Sequence, residues 1–372
     1  MPVNTAAWLV AKQAKLEVKG APYTPPRENE IVVRNFAVSI NPIDWIKQCS
    51  GNFLFSWVKY PFILGSDLAG EVVEVGSSVT RFRKGDRVLA HAVGVDKKRN
   101  SAAEGSFQEY TVVLAHMASP IPGTMSYEDA TVLPLALSTA ACGLFQKDQL
   151  ALQYPSADAQ PTGKWLLIWG GSTSVGSNAI QLAVAAGYEV VTTASPGNFA
   201  YVKKLGASQV FHYNSKTVVR DVIEALRGKT IAGALAIGET SADACLDIVH
   251  GCKGNKFVSM ASFPLSFQGM AKGAGVGSEV LRQAPKLVSF NVSRLLKSSM
   301  RRIRTNMIFG TTLMNNEVSS VVYVDFLPRA LADGRYVAAP EPLVVGKGLA
   351  SIQGAFEVQI EGVSARKVVV SL

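Results

Sequence analysis

Apolar residues along this chain follow two rhythms, and one junction between them organises the rest. Trp165-Leu166-Leu167-Ile168-Trp169 is an apolar run of strand length that ends in Gly170-Gly171, turns through Ser172-Thr173-Ser174-Val175 and reaches Gly176. Beyond it, Ala179, Ile180, Leu182, Ala183, Val184 and Ala186 fall at spacings that one helix buries, and Gly187 closes the segment. Glu189–Thr193 reads as a second strand, a helix and Gly206-Ala207 follow, and Gln209–Tyr213 reads as a third strand. Later strands are expected near Ala234–Ile237, Lys256–Met260 and Met307–Gly310. A tight strand-to-helix turn needs glycine where a ligand must approach the backbone with no Cβ in the way. The helix N-terminus then offers N–H groups and the positive end of its dipole to a phosphate. The Gly171/Gly176 spacing is not a strict G-x-G-x-x-G, but its place at the head of a β-α-β-α-β series predicts dinucleotide binding.

The residues before this series have the other rhythm. Ala6–Val10, Leu16–Val18 and Glu30–Ser39 read as strands, with Pro22, Pro25 and Pro26 breaking the chain between them. Asn41-Pro42-Ile43-Asp44-Trp45-Ile46-Lys47 reads as a short helix started by proline. Leu64–Gly76 carries glycines that bracket a strand passing close to another backbone, and strands after Gly85 and Gly105 complete a compact barrel or sandwich. Ser126 is placed to cap a helix with an acidic first turn, and Leu135–Phe145 continues as a small-residue helix. Pro342–Val345 and Lys367–Leu372 return to strand character and are expected to rejoin the N-terminal sheet.

Composition narrows the class. With 372 residues, 48% hydrophobic and 17% charged, the chain has the apolar content of about two folded domains. Cys49, Cys142, Cys245 and Cys252 lack C-x-x-C spacing and read as reduced thiols. The N-terminus has no signal-peptide pattern and no apolar run approaches the ~20 residues of a membrane span, so a soluble cytoplasmic protein with no membrane partner is expected. The net charge of +9 comes without a helix-turn-helix, zinc finger or aromatic-interleaved basic motif, and no nucleic-acid partner is expected.

The ordered set Val38–Asp44, Leu64–Gly70, Lys84–Val88 and Gly105–Tyr110 resembles the medium-chain dehydrogenase/reductase superfamily over essentially the whole chain. Within it the chain is similar to the zinc-free quinone oxidoreductase and enoyl reductase branch. Ser172–Val175, Ser195-Pro196-Gly197-Asn198 and Glu341–Val345 look most like the fungal trans-acting enoyl reductases of polyketide synthases. The resemblance implies an α/β fold: a Rossmann-type doubly wound parallel sheet over 126–329, plus a GroES-like β-barrel domain over 1–125 and 330–372. Where zinc-dependent relatives carry a ligating Cys and a Gly-His-Glu element, this chain has Asn41 and Gly65-Ser66-Asp67. The four-cysteine lobe near 95–110 is also replaced, by Asp96–Asn100, so no metal is expected. His91 and His116 then read as ordinary surface or core histidines.

The second strand ends at Thr192-Thr193-Ala194-Ser195 without the carboxylate that NAD-binding members place against the ribose. Ser195 and Asn198, with Lys203 or Lys204 nearby and Tyr213 as the adenosine-side tyrosine, imply NADPH as cofactor. For the turn itself, Gly170, Gly171, Ser172, Thr173, Ser174 and Val175 are the expected contacts. The resemblance also places Asn41, Pro42, Ile43, Asp44, Lys47, Met260, Ala261, Val344 and Val345 near the cofactor; Asn41, Asp44 and Lys47 are positioning candidates, and Lys47 reads either as a phosphate or ribose contact or as a solvated lysine. It further implies that Leu135, Ala136, Leu137, Ser138, Thr139, Ala140, Ala141 and Cys142 line a substrate tunnel, although packing alone also explains their small side chains. Without a metal the hydride acceptor must already be electrophilic, which fits a C=C conjugated to a carbonyl. Gly51–Phe55 offers Phe where some enoyl reductases carry a proton-donating Tyr, so solvent is the expected proton source. The Gly-, Ser- and Met-rich 262–285 stretch reads as a mobile wall over the site. Arg282, Lys286, Arg294, Lys297, Arg301, Arg302 and Arg304 form a basic region that either docks an acidic acyl carrier protein or is a solvated helix face. The expected partners are thus a small-molecule or carrier-bound acyl substrate, with a monomer expected over a homodimer. A quinone reductase without a carrier partner and a non-catalytic NADPH-binding protein remain open alternatives.

Overall fold

A computed structural model describes every residue except Met1, Thr240 and Ser262–Pro264. The chain forms two compact units: Met1–Leu135 with Phe267–Glu279 and Tyr323–Leu372, and Ala136–Ser266 with Val280–Val322. Against the ranges expected from the sequence, the first unit extends past 125 to Leu135, begins its C-terminal part at Tyr323, and takes in Phe267–Glu279.

In the first unit, Glu30–Ser39 is the strand on which the others are built. It pairs antiparallel with Asp67–Val75, with Tyr110–Leu114 and with the C-terminal strand Arg366–Ser371. Val369 faces Ser39 and Val370 faces Val38, so the end of the chain does close the N-terminal sheet. Arg87–His91 and Ala118–Pro120 extend the sheet, and Asn4–Leu9 joins Leu16–Ala21 and Phe62–Ile63 in a smaller one. The Asp67–Val75 strand turns where two backbones nearly touch: a Cβ on Gly70 would lie 1.9 Å from the Arg34 carbonyl oxygen. Pro42–Ser50 follows as a helix with Pro42 at its start, entered through an extended Asn41.

In the second unit six parallel strands lie in the order Gln209–His212, Glu189–Ala194, Lys164–Trp169, Thr230–Ala236, Phe257–Met260 and Arg304–Met307. Counted along the chain this is the doubly wound order 3-2-1-4-5-6, whose direction reverses beside the first strand. Leu167, Val191, Ala234 and Val258 carry the sheet's contribution to the core, against Val222, Leu246 and Val249 from helices Val218–Ala225 and Ser241–Gly251. The last strand lies earlier than the Met307–Gly310 expected from the sequence.

One further expectation needs correction. Residues Val276–Met300 form a 25-residue helix, so most of the proposed 262–285 wall is helical, with Gln268–Ala271 another short helix before it. Gln283 Nε2 also donates to the Ser266 carbonyl at 2.6 Å while the Ser266 N–H donates to Gln283 Oε1 at 2.9 Å, which ties this stretch down. Ser262–Pro264 of that stretch lie outside the described residues. The four cysteines are free thiols, three of them buried.

Candidate active site

The glycine turn of the second unit is held open by its own hydrogen bonds. Gly170 has φ +88°, and its N–H donates to Thr193 Oγ1 at 3.0 Å while the Gly171 N–H donates to the Thr193 carbonyl at 2.9 Å. Thr173 is the N-cap of helix Ser174–Ala185: its hydroxyl accepts the Gly176 N–H at 3.0 Å and donates to the Gly170 carbonyl at 2.8 Å. A Cβ on Gly176 would lie 2.2 Å from the Gly170 oxygen. Glycine at 176 is therefore what lets the helix begin against the turn. Ser172, Ser174 and Val175 are half-buried around this helix start and Thr173 is exposed. The turn sits at the strand-order reversal, where open α/β sheets bind nucleotides.

At the end of the neighbouring strand Glu189–Ala194, Pro196–Asn198 form one turn of 3₁₀ helix after Ser195. Asn198 Nδ2 donates to Ser195 Oγ at 3.1 Å, so the two side chains form one polar corner. Lys203 and Lys204 are exposed on the following helix, and Tyr213 is exposed beside His212 at the end of the third strand. Met260 is buried at the end of its strand, and the Ala261 N–H continues the ladder by donating to the Ala236 carbonyl.

In the first unit the Asn41–Lys47 segment is organised by buried charge. Asn41 Nδ2 donates to Asp67 Oδ2 at 2.8 Å, Ser39 Oγ donates to the same oxygen at 2.7 Å, and the Leu135 N–H donates to Asp67 Oδ1 at 2.6 Å. Lys367 completes the cluster: its ammonium lies 3.1 Å from Asp67 Oδ2 and donates to Asn41 Oδ1. Asp67 is 0% exposed and the Lys367 side chain 5%. Asp44 accepts the Asn41 N–H at 2.8 Å, and burial pushes its carboxyl up to about 7. His91 is fully buried, which pulls its imidazole down to about 4; it is a core histidine, and His116 is half-buried.

Lys47 is the residue whose surroundings depart most from expectation. It is 1% exposed, and its ammonium donates to the carbonyls of Gly51, Leu54 and Phe55 at 2.8, 3.3 and 3.1 Å. It ties the end of helix Pro42–Ser50 to the following loop, as a cation at a helix C-terminus does; the solvated-lysine reading does not hold. Pro42 is exposed and Ile43 half-buried on the same helix. Val344 is exposed, and Val345 occupies the register break between Val344 and Gly346 in strand Glu341–Lys347.

Leu135–Cys142 lie in helix Pro134–Phe145. Ala136, Leu137, Ser138, Ala140, Ala141 and Cys142 are buried; only Leu135 and Thr139, one turn apart, keep partial exposure. Burial of this kind fits close packing, since a Cβ on Gly143 would meet Ile308 at 2.6 Å. The basic region is also more engaged than a steering surface would be. Lys286 pairs with Glu239 at 2.8 Å, Lys297 with Asp243 and Asp247 at 3.2 and 3.1 Å, and Arg301 with Asp247.

Residues 27–123 match the alcohol dehydrogenase GroES-like domain family and residues 174–317 the zinc-binding dehydrogenase family. The chain is 54% identical over its full length to the dehydrogenase pigH of Monascus ruber, all of which is covered. It is 36% identical to the trans-enoyl reductase himH of Aspergillus japonicus, covering all of this chain and 98% of that one. The chain belongs to the medium-chain dehydrogenase/reductase superfamily. Among solved structures, an alcohol dehydrogenase superfamily protein from Novosphingobium aromaticivorans shares the fold at TM-score 0.73 and 22% identity, with 99% of each chain covered. As a medium-chain dehydrogenase/reductase, the chain is an NAD(P)-dependent oxidoreductase.

The zinc of this superfamily does not match the donors present. Asn41, Ser39 and Lys367 surround Asp67, and amide, hydroxyl and ammonium groups are not the thiolate, imidazole and carboxylate set that zinc takes. A lysine cation already stands against the carboxylate. Among the described residues no group of three or more His, Cys, Asp or Glu side chains is arranged to hold a metal ion. Sequence reasoning found Asn41 and Asp44 but missed Lys367. The signal was a lysine heading the otherwise apolar run Val368-Val369-Val370, where a charged side chain on a buried strand demands a partner.

Proposed function

We propose that this chain is an NADPH-dependent, metal-independent trans-acting enoyl reductase of a polyketide or related secondary-metabolite pathway. It reduces a C=C conjugated to a thioester carbonyl. The observation that carries this reading is the Asn41–Asp67–Lys367 cluster, which stands in the segment where metal-dependent relatives hold their ligands. With no Lewis acid to polarise an alcohol or ketone, the substrate must supply its own electrophilic carbon, and a conjugated alkene does so. The name of the Aspergillus japonicus relative, a trans-enoyl reductase, points the same way.

Bound NADPH supplies the hydride. The Gly170–Val175 turn and the start of helix Ser174–Ala185 would receive its pyrophosphate, and Ser195 with Asn198 would donate to the 2′-phosphate that a carboxylate would repel. Asn41 and Asp44 keep the entrance of helix Pro42–Ser50 fixed, and Val344 and Val345 offer an apolar edge for the nicotinamide ring. Leu135 and Thr139 are the members of the expected tunnel segment that remain accessible to an acyl chain. The proton then comes from solvent to the enolate.

The test follows NADPH oxidation at saturating cofactor with crotonyl and longer 2-enoyl thioesters beside simple quinones, with NADH and a chelator as controls. Thioester turnover that prefers NADPH and survives chelation is expected. Turnover of quinones alone, or loss of activity on chelation, would overturn the proposal.

A further inference from the structure

Over the part that belongs to the second unit, the helix Val276–Met300 packs Phe290 against the core but carries most of its large apolar side chains outward. Its inner side makes polar contacts: Lys297 reaches Asp243 and Asp247, Ser293 Oγ donates to Asp243 Oδ1 at 2.9 Å, and Arg294 Nη1 donates to Thr305 Oγ1 at 3.2 Å. Its outer side is apolar. Leu281, Val288, Val292, Leu295, Leu296 and Met300 are 76, 61, 49, 57, 56 and 82% exposed. At about 100° per residue, all but Met300 fall within an arc of roughly 100°, the width of an ordinary core-facing stripe. A surface helix of a soluble domain carries that stripe inward. The ion pairs to helix Ser241–Gly251 fix the opposite orientation.

We infer that this face seats on an anionic lipid surface, with the helix axis lying in the membrane plane. An apolar stripe backed by lysine and arginine is the composition of helices that lie in the interface. Arg282 and Arg302 are exposed along its margins, Arg304 is exposed just beyond, and the whole chain carries a net charge of +9. That charge complements phosphatidylserine-type headgroups. It argues against a second copy, because antiparallel pairing of two such helices sets the Arg282 end of one against the Arg302 end of the other. An acidic protein helix would draw on the same exposed arginines, but the unbroken apolar stripe between them favours a lipid surface. No helix among the described residues is long and apolar enough to cross a membrane, so the contact is peripheral. This departs from the expectation of no membrane partner, which rested on the lack of a spanning run. The inference is independent of the substrate.

The experiment is co-sedimentation of the full chain with phosphatidylcholine vesicles, with and without phosphatidylserine, comparing the native protein with the double variant Leu295→Glu/Leu296→Glu. Both positions are exposed, and an unchanged Tm verifies that the variant folds; if it does not, the single variant Val288→Glu replaces it. The native protein is expected to bind the phosphatidylserine vesicles in a salt-sensitive manner, and the variant to lose at least about tenfold in partitioning. No binding by the native protein, or binding that the variant retains, would overturn the inference. So would a dimer in sedimentation velocity that the variant dissolves, since that result assigns the face to a second copy.

Discussion

Lys367 and Asp44 show how much a single buried charge decides here. Replacing Lys367 by Met leaves Asp67 buried against Asn41 and Ser39 without a counter-charge, a change that typically costs ~3–5 kcal/mol. A large drop in Tm is expected for Lys367→Met by calorimetry, with Lys367→Arg recovering part of it and a Tm equal to that of the native chain contradicting the assignment. Asp44 gives a pH signature. Its carboxyl, ordinarily near 3.8, is raised to about 7 chiefly by burial, so between these values the folded chain holds a proton that the unfolded chain has lost. Its contribution is therefore present at low pH and fades as pH rises toward 7. His91, lowered from 6.5 to about 4 by burial, works in the opposite sense, losing stability as pH falls below 6.5. The Tm difference between the native chain and Asp44→Asn should accordingly change across pH 4 to 7; parallel profiles would refute the role given to Asp44. Asn41 and Asp44 could be singled out from the Asn-Pro-Ile-Asp segment alone. The role of Lys367 was not legible, because its partners are 300 and more residues away in sequence, and neither was that of Lys47, whose three carbonyl partners exist only once the loop after its helix folds back.

At the scale of elements, the strand–turn–helix at Trp165–Gly176 was readable because every part of its signal is local. Residue spacing, small turn residues and an N-capping Thr all lie within a dozen positions. The prediction it supports is sharp. A side chain at 176 must displace the Gly170 carbonyl, 2.2 Å from where its Cβ would be. Gly176→Ala should weaken NADPH binding at least about tenfold, near 1.4 kcal/mol, by titration calorimetry; unaltered affinity would remove the turn from the cofactor site. The Val276–Met300 stretch was read as a solvated helix face or a docking region, but its full length and its outward apolar stripe were not legible. Its apolar residues were scattered among arginines and lysines, Pro285 lies inside it, and its outward stripe is the reverse of the pattern that marks a helix against a core. The acids that pair with Lys297 and Arg301 come from another helix and could not be seen from this stretch alone.

For the molecule as a whole, the alternation of strand and helix pointed to a parallel sheet, and the doubly wound arrangement was what the family resemblance implied. For the first unit, the return of the C-terminal strand to Glu30–Ser39 was expected from its strand character, whereas the inclusion of Phe267–Glu279 was not. A short stretch that joins a unit from the middle of the other one leaves no local trace of where it belongs. The central claim is that an NADPH hydride reaches a conjugated alkene without help from a metal. It is tested most directly by incubating the chain with 4-deuterated NADPH and a 2-enoyl thioester and locating the label in the product. The account predicts a saturated thioester carrying deuterium on its β-carbon. Deuterium on the former carbonyl carbon, in an aldehyde or alcohol, or no transfer from either face of the nicotinamide, would contradict it.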